Sequence, residues 1–328
     1  MFVRRHGFLA LVALLTVAAG TAFATLGYPE LVVHAAPRKQ ARPSDSPEAA
    51  AAKQAFFDAF MAQRYDALPE VTAALTAAYL RNPADPKLAL LIGHAHFWRA
   101  AERGRDPNAG PGVTDAIVLA NFYFGEAYRL QPDDHRIAGW LASTQMALGS
   151  VHGDERARRR GYLMMEQSVR ADPAFNHFTL GYVLSRLPAG DARLAQAVEA
   201  MWANLDVCVG HKVDRNNPDL SALGSTDVPE GPRHVCFNGP YTPHSVEGYF
   251  LAFGDLLVKT GDPRLAKAVY LQARVSPAYD AWPFKALLEE RVASAEARAA
   301  RFAARGDSAE LPEMISTSAR SCAVCHAK

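Results

Sequence analysis

Close to the C-terminus, Cys322-Ala323-Val324-Cys325-His326 places two thiols, two residues apart, directly ahead of an imidazole. Three chemistries are open to such a trio. Thiols at this spacing can add to two vinyl groups on one edge of a planar molecule, exchange with a disulfide, or ligate a soft metal. Disulfide exchange by a C-x-x-C pair is expected near a βαβ pattern, which this chain lacks. A four-cysteine zinc site would need Cys208 and Cys236, the only other cysteines in 328 residues.

The C-x-x-C-H segment resembles the attachment site of c-type cytochromes. That resemblance implies one covalent haem c held by Cys322 and Cys325, with His326 as the proximal ligand of the iron. The motif occurs once, so a self-contained di-haem peroxidase is not expected. Only Ala327 and Lys328 follow it. A site so close to the C-terminus is similar to that of the class II, four-helix cytochromes related to cytochrome c′, a likeness limited to the motif and its position. The distal side of the haem must then come from upstream residues or stay open.

Candidate distal ligands are His211, His234 and His244, with Met314 nearer along the chain. His244 is the first choice, because Tyr241-Thr242-Pro243-His244-Ser245-Val246-Glu247-Gly248 leads into a helix that would hold it rigidly. His94 and His96, beside Gly93, read as core or groove residues, and Trp98, Trp140, Trp202 and Trp282 as packing residues.

Cys208 and Cys236 bracket a stretch at 207–243 that contains Asn216-Asn217-Pro218, Pro229-Glu230-Gly231-Pro232 and Asn238-Gly239-Pro240. Such a stretch is not helical, and loops of this length inside a domain are usually functional. In an oxidising compartment the two thiols most simply form a disulfide, which would contribute about 3 to 4 kcal/mol by the chain-entropy argument. The loop is the spare material expected to fold over the haem, whose face is a large apolar surface.

The elements that must position these residues are helices. From Glu48 onward apolar residues recur at helical spacing among Ala, Leu, Arg and Glu, and period-two runs are scarce. A small residue, a bulky one, a small one and a proline follow at fixed offsets in Ala120, Phe124, Ala127, Pro132 and in Gly161, Met165, Ser168, Pro173. Val71, Leu75, Ala78, Pro83 is a looser copy. The fullest unit is Phe250, Phe253-Gly254, Leu257, Gly261, Ala266, Tyr270, Ala273, Pro277, and Ile92-Gly93, Leu141-Ala142 and Leu180-Gly181 fit its first-helix contact position. The pattern resembles the tetratricopeptide repeat. It implies an all-α fold: an irregular tetratricopeptide-like array of helical hairpins, with insertions at Gly104 to Val113 and around Gly153 to Arg158. A C-terminal capping helix is expected from about Phe284 to Arg305, its charges, among them Arg291 and Arg298, facing solvent.

Arg4 and Arg5 precede an uncharged apolar run from Phe8 through Tyr28, and Ala22-Phe23-Ala24 is an acceptable cleavage site. Residues 1–36 therefore read as a signal peptide or, uncleaved, an inner-membrane anchor. The expected organisation continues with a linker at 37–47, a helical repeat domain at 48–305 and a haem-attachment segment at 306–328. Both readings of the N-terminus place the chain in the periplasm or elsewhere outside the cytoplasm. With 35 basic and 34 acidic residues there is no sequence-wide field for nucleic acid. The expected function is electron transfer to or from an envelope redox protein or complex. A haem-based sensor or enzyme for NO, CO or peroxide, and an envelope protein-interaction scaffold, are the alternatives; no Ser/His/Asp or paired-carboxylate constellation argues for other catalysis.

Overall fold

The computed structural model describes residues 39–224, 236, 244–304 and 311–327. The N-terminal apolar segment, His234 and much of the 207–243 stretch lie outside the described residues. Two compact units divide at Gln40, and nearly everything described belongs to the second, from Ala41 onward.

That unit is built from consecutive helical hairpins: α1 (Pro47–Met61) with α2 (Leu68–Arg81), α3 (Pro86–Ala101) with α4 (Asp115–Leu130), α5 (His135–His152) with α6 (Glu155–Ala171), α7 (Pro173–Leu184) with α8 (Leu194–Val209), and α9 (Val246–Lys259) with α10 (Pro263–Leu271). A longer helix α11 (Lys285–Ala303) and a single turn α12 (Ala323–His326) complete it. Among the described residues there is no strand. The first helix of every hairpin starts on a side-chain cap, supplied by Ser46, Asp85, Asp134, Asp172 and Ser245. Each such oxygen satisfies an otherwise orphaned backbone N–H and stabilises its helix by about 1 kcal/mol.

The repeated small residues are where helices meet. A Cβ on Gly161 of α6 would stand 2.8 Å from the Ala142 carbonyl oxygen and 2.9 Å from the Met146 nitrogen of α5. Gly93 likewise receives the Phe124 ring, Gly181 the Met201 side chain and Gly254 the Tyr270 ring. Leu75, Phe124, Met165 and Tyr270, the bulky members of the repeated pattern, are fully buried.

The insertion around Gly153 is taken up in helix: Gly153, in the left-handed region at φ 67°, ends α5, and Asp154 caps α6 at once, so the extra residues lengthen two helices. One expectation is corrected. The charges of α11 are not all solvated. Arg291 and Arg298 are buried and both approach the buried Asp255 carboxylate of α9, at 3.5 and 3.4 Å. Asp255 also accepts from the Tyr270 hydroxyl at 2.7 Å and from the Ile315 amide at 2.8 Å. This cluster fastens the segment after α11 back onto α9.

That segment runs inward. Met314, Ile315, Val324 and Cys325 belong to the larger apolar core, formed mainly by α6 to α11, whereas Cys322 packs against the core of α1 to α3. The C-terminal residues thus join the first hairpins to the last.

Candidate functional site

The turn α12 gathers both free thiols and the imidazole. The amides of Cys325 and His326 each donate to the Cys322 carbonyl at 3.2 Å, so the three side chains leave one turn of backbone. Four elements remote in sequence hold that turn. The amides of Cys322 and Ala323 both donate, at 2.8 Å, to Oε1 of Glu102, just beyond α3. The Tyr182 hydroxyl of α7 donates to the Ser321 carbonyl at 2.7 Å. At the start of α9, the Ser245 amide donates to the Cys325 carbonyl at 2.7 Å, and a Cβ on Gly248 would stand 2.7 Å from Cys325 Cα. Ahead of α11, the Trp282 indole donates to the Val324 carbonyl at 3.3 Å.

The His326 ring lies 4.5 Å, centre to centre, from the His244 ring and 4.5 Å from Phe60 of α1. His244 also meets Phe178 of α7, at 4.8 Å. Burial disfavours the charged imidazole and pushes His244 down to about 4. It acts the same way on His94, which falls to about 3, helped by the positive charge of Lys87. Both rings are therefore neutral at physiological pH, the form in which imidazole ligates metals. The thiols move the other way. Burial first, then the Glu102 carboxylate, pushes Cys322 well above the usual thiol range; burial and Glu247 push Cys325 up to about 12. Glu247, buried in the first turn of α9, keeps one carboxylate oxygen without a hydrogen-bond partner.

Of the residues singled out from sequence, Cys322, Cys325, His326 and His244 come together here, contributed by two segments about eighty residues apart. His211 is exposed on the surface, and Met314 is buried in the core beside the Asp255 cluster. His94 packs edge-on against Phe124 and Trp140. Cys208 and Cys236 are bonded to each other, which removes both from any zinc site with Cys322 and Cys325. Among the described residues no group of three or more His, Cys, Asp or Glu side chains is arranged to hold a bare metal ion.

Glu102, Phe60, Phe178, Tyr182 and Trp282 were not legible as site residues. An acidic residue one turn after a tryptophan at a helix end carries no signal of what it will meet 220 positions later.

The donor set suits a haem attached through thioethers. A thioether is a neutral sulfur, and these sulfurs sit where burial and nearby carboxylates disfavour thiolate. The neutral His244 imidazole and the rings of Phe60 and Phe178 are the kind of surroundings that a porphyrin face would need. No family model, curated protein or solved structure matches the chain.

Proposed function

We propose that this protein is an exported mono-haem c-type cytochrome carried on a tetratricopeptide-like helical scaffold, and that it transfers electrons to or from an envelope redox partner. The observation that carries the reading is the single turn that bears both free thiols and His326 and is held by hydrogen bonds from four remote elements. Cys322 and Cys325 would hold the haem through thioether bonds, and His326 would ligate its iron. When bound, the haem supplies one-electron redox chemistry. The chain's own part is to orient His326 through the α12 turn, to keep the His244 ring neutral, and to shield the site with Phe60 and Phe178. Export is supported by the basic-then-apolar N-terminus and by the Cys208–Cys236 disulfide, a bond typical of oxidising compartments.

The ring contact also favours a second reading. Rings that already touch cannot both ligate one iron from opposite faces unless one swings aside. If His244 instead supports His326 from behind, the distal side is open, and the protein belongs with sensors or enzymes acting on NO, CO or peroxide.

One experiment separates these readings. The full chain is produced with a cytochrome c maturation system, its mass is measured, and its spectrum is recorded with and without CO. Covalent haem with low-spin bands that ignore CO is the expected result. In His244→Ala those bands become high-spin and CO-sensitive, while His211→Ala leaves them alone. A CO-binding wild type whose spectrum His244→Ala does not alter selects the sensor or enzyme reading, and a chain without covalent haem rejects both.

A further inference from the structure

Glu102 is fully buried, yet every hydrogen bond it makes is aimed with purpose. Oε1 accepts from the Cys322 and Ala323 amides, both at 2.8 Å. Oε2 accepts from the Trp98 indole at 2.8 Å and from Arg105 Nη1 at 2.9 Å. Arg105, only one-fifth exposed, also donates to the Gln63 carbonyl at 2.8 Å. A buried carboxylate is tolerated only when so paired, because desolvation of an unpaired charge costs far more than a lost hydrogen bond. Here one carboxylate is satisfied by two groups on its own side and by two backbone amides of the cysteine turn.

From this juxtaposition we infer that Glu102 is the positioning residue of the cysteine turn, and that the Glu102–Arg105 pair sets the reduction potential of the haem attached there. The second part rests on the haem reading; the first does not. As anchor, Glu102 fixes the direction in which the Cys322 and Cys325 sulfurs leave the backbone. As a charge in a low-dielectric interior, it stabilises the ferric state, which carries one positive charge more than the ferrous state. Arg105 offsets part of that field.

Neutralising either member therefore moves the potential, in opposite directions. Glu102→Gln removes the negative charge and leaves Arg105, so the midpoint rises. Arg105→Gln leaves Glu102 less compensated, so the midpoint falls. A merely structural role would give two shifts of the same sign or none.

The test has two arms. In haem-free full-length chain, iodoacetamide labelling of Cys325, whose thiol is raised by burial and Glu247 and not by Glu102, is expected to be at least tenfold faster in Glu102→Ala than in wild type, because Ala offers no acceptor to the Cys322 and Ala323 amides. In haem-loaded protein, potentiometric titration is expected to give a higher midpoint for Glu102→Gln and a lower one for Arg105→Gln. Unchanged labelling overturns the anchor. Midpoints that shift together, or stay put, overturn the tuning. If no haem attaches to wild type, the tuning falls with the haem reading, and labelling alone decides the anchor. If Glu102→Gln does not fold, Arg105→Gln still tests the sign.

Discussion

At the scale of single residues, the chemistry of this protein depends on which protons the interior refuses. His94 carries a measurable consequence outside the proposed iron ligands. Its folded-state value of about 3 lies far below the usual histidine value of about 6.5. Between those values the unfolded chain binds a proton that the folded chain does not, so stability rises with pH across the window. The contribution is complete above pH about 6.5 and is lost as pH falls toward 3. Thermal unfolding followed from pH 7.5 to 4.5 is expected to show a falling midpoint in wild type and a shallower fall in His94→Gln. Parallel slopes for the two proteins would falsify the assignment. The carboxylates add acid sensitivity of their own, which is why the difference between the slopes, and not either slope alone, is the quantity to read.

Among the elements, the hairpins depend on close approach. In α5 and α6, Gly161 faces backbone atoms of Ala142 and Met146, which cannot rotate away as a side chain would. Gly161→Ala must push the helices apart and is expected to destabilise by about 1 to 3 kcal/mol, read from urea unfolding with an unchanged slope. Ala157→Gly, on the same helix, is the contrast: it lowers helix propensity by about 1 kcal/mol without a clash. A loss at Gly161 no larger than zero would mean that the two helices are not held at the distance described. The repeat pattern was legible here because it records this contact twice, as a small residue on one helix and a bulky or backbone neighbour on the other. The cap residues were equally open to reading, since Asn82-Pro83-Ala84-Asp85 and Gln131-Pro132-Asp133-Asp134 end one helix with proline and start the next with aspartate. The burial of Arg291 and Arg298 was not legible, because a helix rich in charge reads as solvated until a partner carboxylate, here Asp255, is placed against it.

Across the whole molecule, the C-terminal segment is a joint. Met314, Ile315 and Val324 are buried in the core of the later helices, Cys322 rests on the core of the first ones, and Ile315 completes the Asp255 cluster. Burying three such side chains contributes about 1.5 to 3 kcal/mol each at most. Ending the chain after Ala304 is therefore expected to lower the unfolding midpoint sharply and to make near- and far-ultraviolet circular dichroism transitions diverge. Replacing both Cys322 and Cys325 by Ala, which leaves the joint's backbone contacts in place, is expected to keep helicity and a single transition. Equal stability of the truncated and full chains would show that the segment is an appendage and not part of the fold.

The sequence by itself determined the helical hairpins, because a periodic apolar face, a small contact residue and a terminating proline are local properties, written within about 40 residues of one another. It also singled out Cys322, Cys325 and His326 as a group, since their spacing is itself local. The Cys208–Cys236 disulfide and the choice of His244 were expected from sequence, whereas the tertiary structure alone decided that Glu102 holds the cysteine turn and that Asp255 meets Arg298. Those two contacts join chain segments 220 and 43 residues apart, and no local pattern encodes such a meeting. Burial then did what sequence cannot: by withdrawing water it made two histidines neutral and held two thiols protonated, and it left the Glu102 carboxylate with both oxygens hydrogen-bonded.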